Sequence, residues 1–213
     1  MIKRMTLLSR RANITPHQFR EHWAGQHAGF GRSLPGVVKY TQNRVTTVLW
    51  QHFDDEPFSV DGIVEIFFEN EAAMENAARS DMGTRVIPQD EPLFLRGLTL
   101  CVVETEGRHD NDGTKVIVAM SKKHDADARS DRSILNLAKE AGATSVSVNR
   151  VSRTYARSGM WTEPMPPEWL LVVWFPSADA ARSAFGIEGR LASQIAAASM
   201  KASAYLCDPL VIV

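Results

Sequence analysis

The chain lacks most of the features that would assign it quickly. Only two cysteines occur in 213 residues, Cys101 and Cys207, both inside apolar runs. That excludes a disulfide framework and suits reduced thiols in a cytoplasmic protein. No His/Cys cluster has the spacing of metal ligands, so no metal is expected. No Gly-rich phosphate loop and no Ser or Cys nucleophile motif is present, so no nucleotide or other cofactor is expected. No apolar run reaches the roughly 20 residues needed to span a bilayer. The opening MIKRMTLLSRR is too broken by charge for a signal peptide and reads as a first strand. Charge of neither sign dominates: 24 basic and 25 acidic residues are interspersed, for a net charge of −1. There is no basic stripe for nucleic acid. Nucleic acid and membrane are therefore excluded as partners. What remains is 44% hydrophobic and 23% charged, an ordinary globular composition for one large domain or two small ones.

The best-defined segment begins at Thr15. Thr15 is a good N-cap, Pro16 fits the first helical position, and Gln18 sits where a capping box wants it. At roughly 100° per residue, Phe19, Trp23, His27, Phe30 and Leu34 fall within about 80° of one another. The result is an amphipathic helix with one histidine on its apolar side, stopped by Leu34-Pro35-Gly36. Residues 2–9 read as strand one, 37–47 as strand two, 61–68 as strand three and 97–104 as strand four. Between them lie an acidic, aromatic loop at 50–60, a short helix at 71–79 and then a long polar connection. This βαββαβ order is that of a ferredoxin-like unit.

Polar turn formers at 106–113 make a linker, after which the pattern repeats. Strands are expected at 114–120, 144–154, 169–175 and 202–213, the last interrupted by Pro209, with helices at 131–141 and 178–185 and irregular helix to about 198. Asn43-Arg44-Val45 answers Asn149-Arg150-Val151 at an offset of 106, Phe68 answers Phe175 at 107, and Cys101 answers Cys207 at 106. Near-constant offsets with one element order argue for a duplication into repeats 1–107 and 113–213. The expected fold class is α+β: two ferredoxin-like βαββαβ repeats packed sheet to sheet with a cleft between them. Such a chain is a pseudo-dimer in itself, or forms a further homodimer.

Several residues are candidates for chemistry in that cleft. An imidazole titrates near neutrality, so His27 suits acid/base work; the alternative is a core histidine satisfied locally. Glu65 stands in the middle of VEIFF, where burial is costly unless it is paired. Alternation puts it, with Phe67, on the face opposite Val64, Ile66 and Phe68, hence toward the cleft; the alternative is a pair with Lys or Arg at a sheet edge. Tyr40, Gln42 and Arg44 share one face of strand two, and which face lies inside stays open. Trp50, Trp161, Trp169 and Trp174 form either an aromatic wall or packing between the halves.

The run Phe19-x3-Trp23-x3-His27, then Leu34-Pro35-Gly36, Tyr40, Gln42-Asn43, and Asp61-Gly62 with Glu65, resembles the EthD family of the dimeric α+β barrel superfamily, over roughly residues 5–105. The second half is a degenerate copy: SDRSILNLAKEAGA has no Trp-x3-His, and Val172 replaces Glu65. The resemblance implies a small, mostly apolar substrate held without metal or nucleotide. Relatives in polyketide pathways are decarboxylases, dehydratases or oxidising enzymes on aromatic substrates. The wider superfamily adds cofactor-free monooxygenases, lactone isomerases and aldol cyclases. One reading is thus a cofactor-independent lyase, isomerase or monooxygenase. In it His27 moves protons with Glu65 or Tyr40, and Trp23, Gln42, Arg44 and Phe67 bind the substrate. The founding family member is an accessory of an ether-degrading oxidase system, so the second reading is a non-catalytic binding protein serving a neighbouring oxidase.

Overall fold

The computed structural model describes residues 1–107, 112–123, 129–186 and 189–213. His109, His124 and the middle of the expected linker lie outside these residues. The strands are β1 (Ile2–Arg10), β2 (Val37–His52), β3 (Gly62–Phe68), β4 (Leu95–Gly107), β5 (Thr114–Lys122), β6 (Ser145–Tyr155), β7 (Trp169–Phe175) and β8 (Ser199–Val211). They form one closed antiparallel barrel in the order β1-β3-β2-β8-β5-β7-β6-β4.

This corrects the expected fold class. The chain is not a pair of ferredoxin-like units stacked sheet to sheet, because the two halves share one continuous hydrogen-bonded wall. β2 pairs with β8 from Thr41↔Val211 to His52↔Ala202. β4 pairs with β6 from Leu100↔Tyr155 to Gly107↔Ser147. The physical cause is strand length. β2 runs to His52, into residues that read as a loop, and β4 runs to Gly107. Their extra backbone donors and acceptors need partners, and closure supplies them where an open edge would not. The expected cleft between sheets is replaced by a barrel interior. Met5, Ile63, Ile117, Leu170, Trp174 and Tyr205 fill it, all buried.

Helices cover the outside. The Thr15 capping box forms as expected, with Gln18 N donating to Thr15 Oγ1 at 3.2 Å and Thr15 N donating to Gln18 Oε1 at 2.8 Å. It starts a continuous helix made of α1 (Pro16–His22), a π-helical turn (Trp23–His27) and α2 (Ala28–Arg32). Its apolar stripe packs on the outer face of β1–β4, where Leu8, Val64, Ile66, Phe68 and Leu100 point. A Cβ at Gly62 would lie 2.5 Å from the Trp23 ring, so the glycine lets the buried indole lie against β3. α3 (Glu71–Arg79) follows. The stretch that read as a polar connection is also helical: a π-helical turn at Met82–Val86 and α4 (Ile87–Phe94), with Pro92 inside it. On the second half, α5 (Arg129–Glu140), α6 (Ala178–Ala184) and α7 (Arg190–Ala198) pack on β5–β8. Among the described residues no helix is long and apolar enough to cross a membrane.

Candidate functional site

A cavity of about 370 Å³ opens outside the barrel, between β1–β4 and the helices above them. Arg4, Thr6, Tyr40 and Ile66 line it from the strands, and His27, Met74, Ile87 and Glu91 from the helices. Tyr155, Ala156 and Arg157, at the end of β6 and just beyond, complete one side from the second half of the chain.

His27 is held from behind by Asp90 of α4, with Nδ1 2.8 Å from Oδ2. Oδ1 of the same carboxylate meets His22 Nε2 at 2.9 Å and accepts from Gln26 Nε2 at 3.0 Å. In a regular α-helix residues five apart point roughly 140° away from each other. The π-helical turn between His22 and His27 brings both rings onto one carboxylate, a distortion that recurs at functional sites. Phe94 packs the pair, its ring centre 4.6 Å from that of His22 and 4.9 Å from that of His27. Burial by itself would raise the pKa of Asp90. The hydrogen bond from His27 and the charges of His27 and His22 outweigh it and hold the carboxyl below its usual range. Against a carboxylate, Nδ1 of His27 carries the proton and donates. In the neutral ring that leaves Nε2 as an acceptor.

Tyr40 faces the same cavity. Its hydroxyl accepts from Gln42 Nε2 at 2.9 Å, and the Gln42 amide also donates to the Trp23 carbonyl at 2.7 Å, tying strand to helix. Burial pushes the phenol up to about 12, so at neutral pH it is a donor rather than a base. Glu91, next to Asp90, is met by Arg157: Nη2 donates to Oε1 at 3.0 Å and Nε lies 2.7 Å from Oε2. This clasp brings the second half onto the first.

Of the residues expected at the site, only His27 and Tyr40 line the cavity. Glu65 lies on the other side of the sheet, inside the barrel. Its carboxylate lies 2.8 Å from Lys3 Nζ, accepts from Asn43 Nδ2 at 3.0 Å, and pairs with Lys115. Burial would raise its pKa, but the two ammonium groups drive it far below the ordinary range. Phe67 is on that inner side too, with Lys3 Nζ 5.3 Å from its ring centre. Trp23 and Gln42 are buried behind the cavity rather than in it. Arg44 pairs with Asp208 on the outside of the β2–β8 seam. The tryptophans make no common wall. Trp174 is in the barrel interior, Trp169 and Trp50 pack in the core of the second half, and Trp161 stacks under Arg96 at 4.3 Å.

Asp90, Glu91, Arg4 and Arg157 were not singled out from sequence. One signal was there for the first two. Ile87, Asp90, Glu91 and Phe94 are spaced i, i+3, i+4, i+7 and all are buried. Two carboxylates in the stripe and two prolines in the segment hid its helical period.

Comparison with known proteins places this geometry. Over most of the chain the fold is shared with solved structures of low identity. An anthrone oxidase-like protein is 11% identical at a TM-score of 0.62, covering 99% of this chain and 93% of that one. A protein of Fusobacterium nucleatum, provisionally named a monooxygenase, is 12% identical at 0.57, covering 99% and 93%. A protein of Lactobacillus acidophilus, named in the same way, is 11% identical at 0.55, covering 99% and 94%. At such identities the likeness is one of fold. Curated protein sequences give no match. The EthD domain model matches residues 11–97, the span that carries His27, Tyr40 and Asp90. Over residues 11–97, then, the first half of this chain is similar to the EthD domain.

Proposed function

We propose that the chain is a small-molecule enzyme whose site is the cavity on the outside of the first half. Its reaction turns on movement of a proton on an apolar, aromatic or polyketide-like metabolite. His27 Nε2 takes the proton, Asp90 fixes the ring and stabilises the imidazolium that forms, and the Tyr40 hydroxyl donates to the oxygen on which charge develops. Dehydration and isomerisation begin with this step. Decarboxylation ends with its reverse, in which the imidazolium protonates the enolate left by loss of CO₂. Oxidation adds dioxygen, as the oxidant, to the enolate that the step forms. These side chains supply the proton transfer without a cofactor. The observation that carries the reading is the 2.8 Å contact of a buried carboxylate to a histidine that lines a cavity.

Hydrogen–deuterium exchange at the acidic CH₂ of anthrone, followed by NMR, tests it. The wild type is expected to accelerate exchange, and His27→Gln to lose about 10²–10⁴ of that acceleration. Full exchange activity in His27→Gln would remove the role given to this residue.

The accessory reading draws on one observation. Asp90 takes contacts from His22, Gln26 and His27 together, which is also how a purely structural pin is built. Under it the cavity binds the same class of metabolite and passes it to an oxidase, and exchange is not accelerated.

The division into repeats 1–107 and 113–213 is also our reading. Two matched pairs support it. Asn43 donates to the Ile63 carbonyl as Asn149 does to that of Leu170. Lys3 of β1 and Lys115 of β5 both reach Glu65. The second repeat has no counterpart of His27, so we expect one site per chain.

A further inference from the structure

Among the described residues the cavity lining carries one more guanidinium than carboxylate. Three guanidinium groups line it, those of Arg4, Arg79 and Arg157, against the two carboxylates of Glu75 and Glu91. Arg79 Nη2 is 3.1 Å from Glu75 Oε2, and Arg157 Nε is 2.7 Å from Glu91 Oε2. That leaves Arg4. Its Nε is buried with no hydrogen-bond partner, and its guanidinium carbon lies 5.6 Å from the centre of the Phe68 ring. Glu91 is near enough to favour the charge of Arg4 but is held by Arg157, and no carboxylate among the described residues contacts Arg4 itself. A half-buried cation without a contacting counter-ion is costly, and a ligand anion relieves the cost.

The floor of the cavity is laid out to match. Arg4 on β1 and Tyr40 on β2 both pair in register with Ile66 on the strand between them. Arg4, Ile66 and Tyr40 thus form one row across three strands, with the outer two about 9.6 Å apart at Cα. The row is a cation, an apolar surface and a phenol. Leu34, Met74 and Ile87 add apolar walls above it.

We infer that the substrate carries one acidic oxygen, a carboxylate or a phenol, on an apolar skeleton, and that Arg4 binds it. This rests on the reading of the cavity as the substrate site. The planar fork of a guanidinium fits a carboxylate with two parallel hydrogen bonds, or a phenolate with one, better than an ammonium would. Burial and the neighbouring charge of Arg157 lower the pKa of Arg4 to about 10, so it remains cationic at neutral pH.

Titration calorimetry with 2-naphthoate, 2-naphthol and methyl 2-naphthoate tests the inference, since the three share a skeleton and differ in the acidic group. In the wild type one of the two acids is expected to bind at least tenfold more tightly than the ester, and which one does so tells carboxylate from phenol. Arg4→Met is expected to bring that acid down to the affinity of the ester while changing the ester less than twofold. Arg4→Lys, which keeps the charge, is expected to retain part of the preference. Equal binding of all three by the wild type overturns the anion subsite and leaves the cavity a site for neutral ligands, as does an equal loss of all three in Arg4→Met. No binding by any of them overturns the cavity as a ligand site and the anion subsite with it.

Discussion

Oδ2 of Asp90 lies 2.8 Å from Nδ1 of His27, across 63 residues of sequence. The contact does two things. It leaves Nε2 as the ring nitrogen not engaged by Asp90, and in the proposed reaction it gives the imidazolium a fixed counter-charge. Asp90→Asn keeps the shape and removes the charge. Turnover is expected to fall by about 10²–10⁴. The double variant with His27→Gln is expected to be no slower than His27→Gln alone, because the two side chains act as a unit. Nitrogen-15 spectra of the ring are expected to show the proton on Nδ1 in the wild type and a mixture of tautomers in Asp90→Asn.

Inside the barrel, Glu65 is the shared counter-charge of Lys3 and Lys115. Glu65→Gln leaves two buried ammonium groups without an anion. A loss of about 3–5 kcal/mol in unfolding free energy is expected in urea titrations. Replacing all three at once, as Lys3→Met with Glu65→Leu and Lys115→Met, is expected to cost far less, because it removes the desolvated charges together.

The same cluster sets the acid limb of stability. Glu65 ionises in the folded state far below its ordinary value of 4.5. Its contribution is therefore fully present above about pH 4.5 and is lost progressively as pH falls below that. Asp90, held below its ordinary 3.8, adds a loss of the same sign starting lower. Melting temperatures measured from pH 7 to pH 2.5 are expected to fall steeply below about pH 4.5 in the wild type. In Glu65→Gln the fall is expected to be shallower, from a lower starting point.

Two glycines of one helix are expected to respond in opposite directions. A Cβ at Gly31 would sit 2.5 Å from Cε1 of Tyr40, whereas one at Gly29 meets nothing within 4 Å. Gly31→Ala forces the cavity tyrosine to move and is expected to cost about 1–3 kcal/mol despite the better helix propensity of alanine. Gly29→Ala is expected to stabilise by about 0.4–1 kcal/mol. Thermal melts of the two variants side by side check the pair, and naphthoate binding should weaken only in Gly31→Ala.

Much of the site was readable where its signals were local. The helix after Thr15 announced itself by a capping box, a proline at its start and a 3.6-residue stripe, and His27 was found on that stripe. The oddity of Glu65 in an apolar strand was also visible, but its direction depended on where the cleft lay. The stacked-sheet picture put the cleft on the inner side of the sheet. The structure fills that side and opens the cavity on the other, with Tyr40. Asp90 is hidden in the sequence because its helix carries Pro88 and Pro92 and puts two carboxylates where the stripe should be apolar. In the sequence Arg4 is one more charge in a strand, and nothing near it in the chain marks its Nε as lacking a hydrogen-bond partner.

The sequence by itself determined much of the local order: where the first helix begins and stops, the middle of each strand, and which residues alternate to one face or the other. Only the tertiary structure decided which strands join across the seams, and on which side of the sheet the cavity opens. The reason is physical. Nearly every side chain of β3 and β7 is buried, because one face looks into a packed barrel and the other under helices. Hydrophobic alternation separates two faces by their contrast with water. Where neither face meets water that contrast is gone, and pairing at a distance decides what each side chain meets.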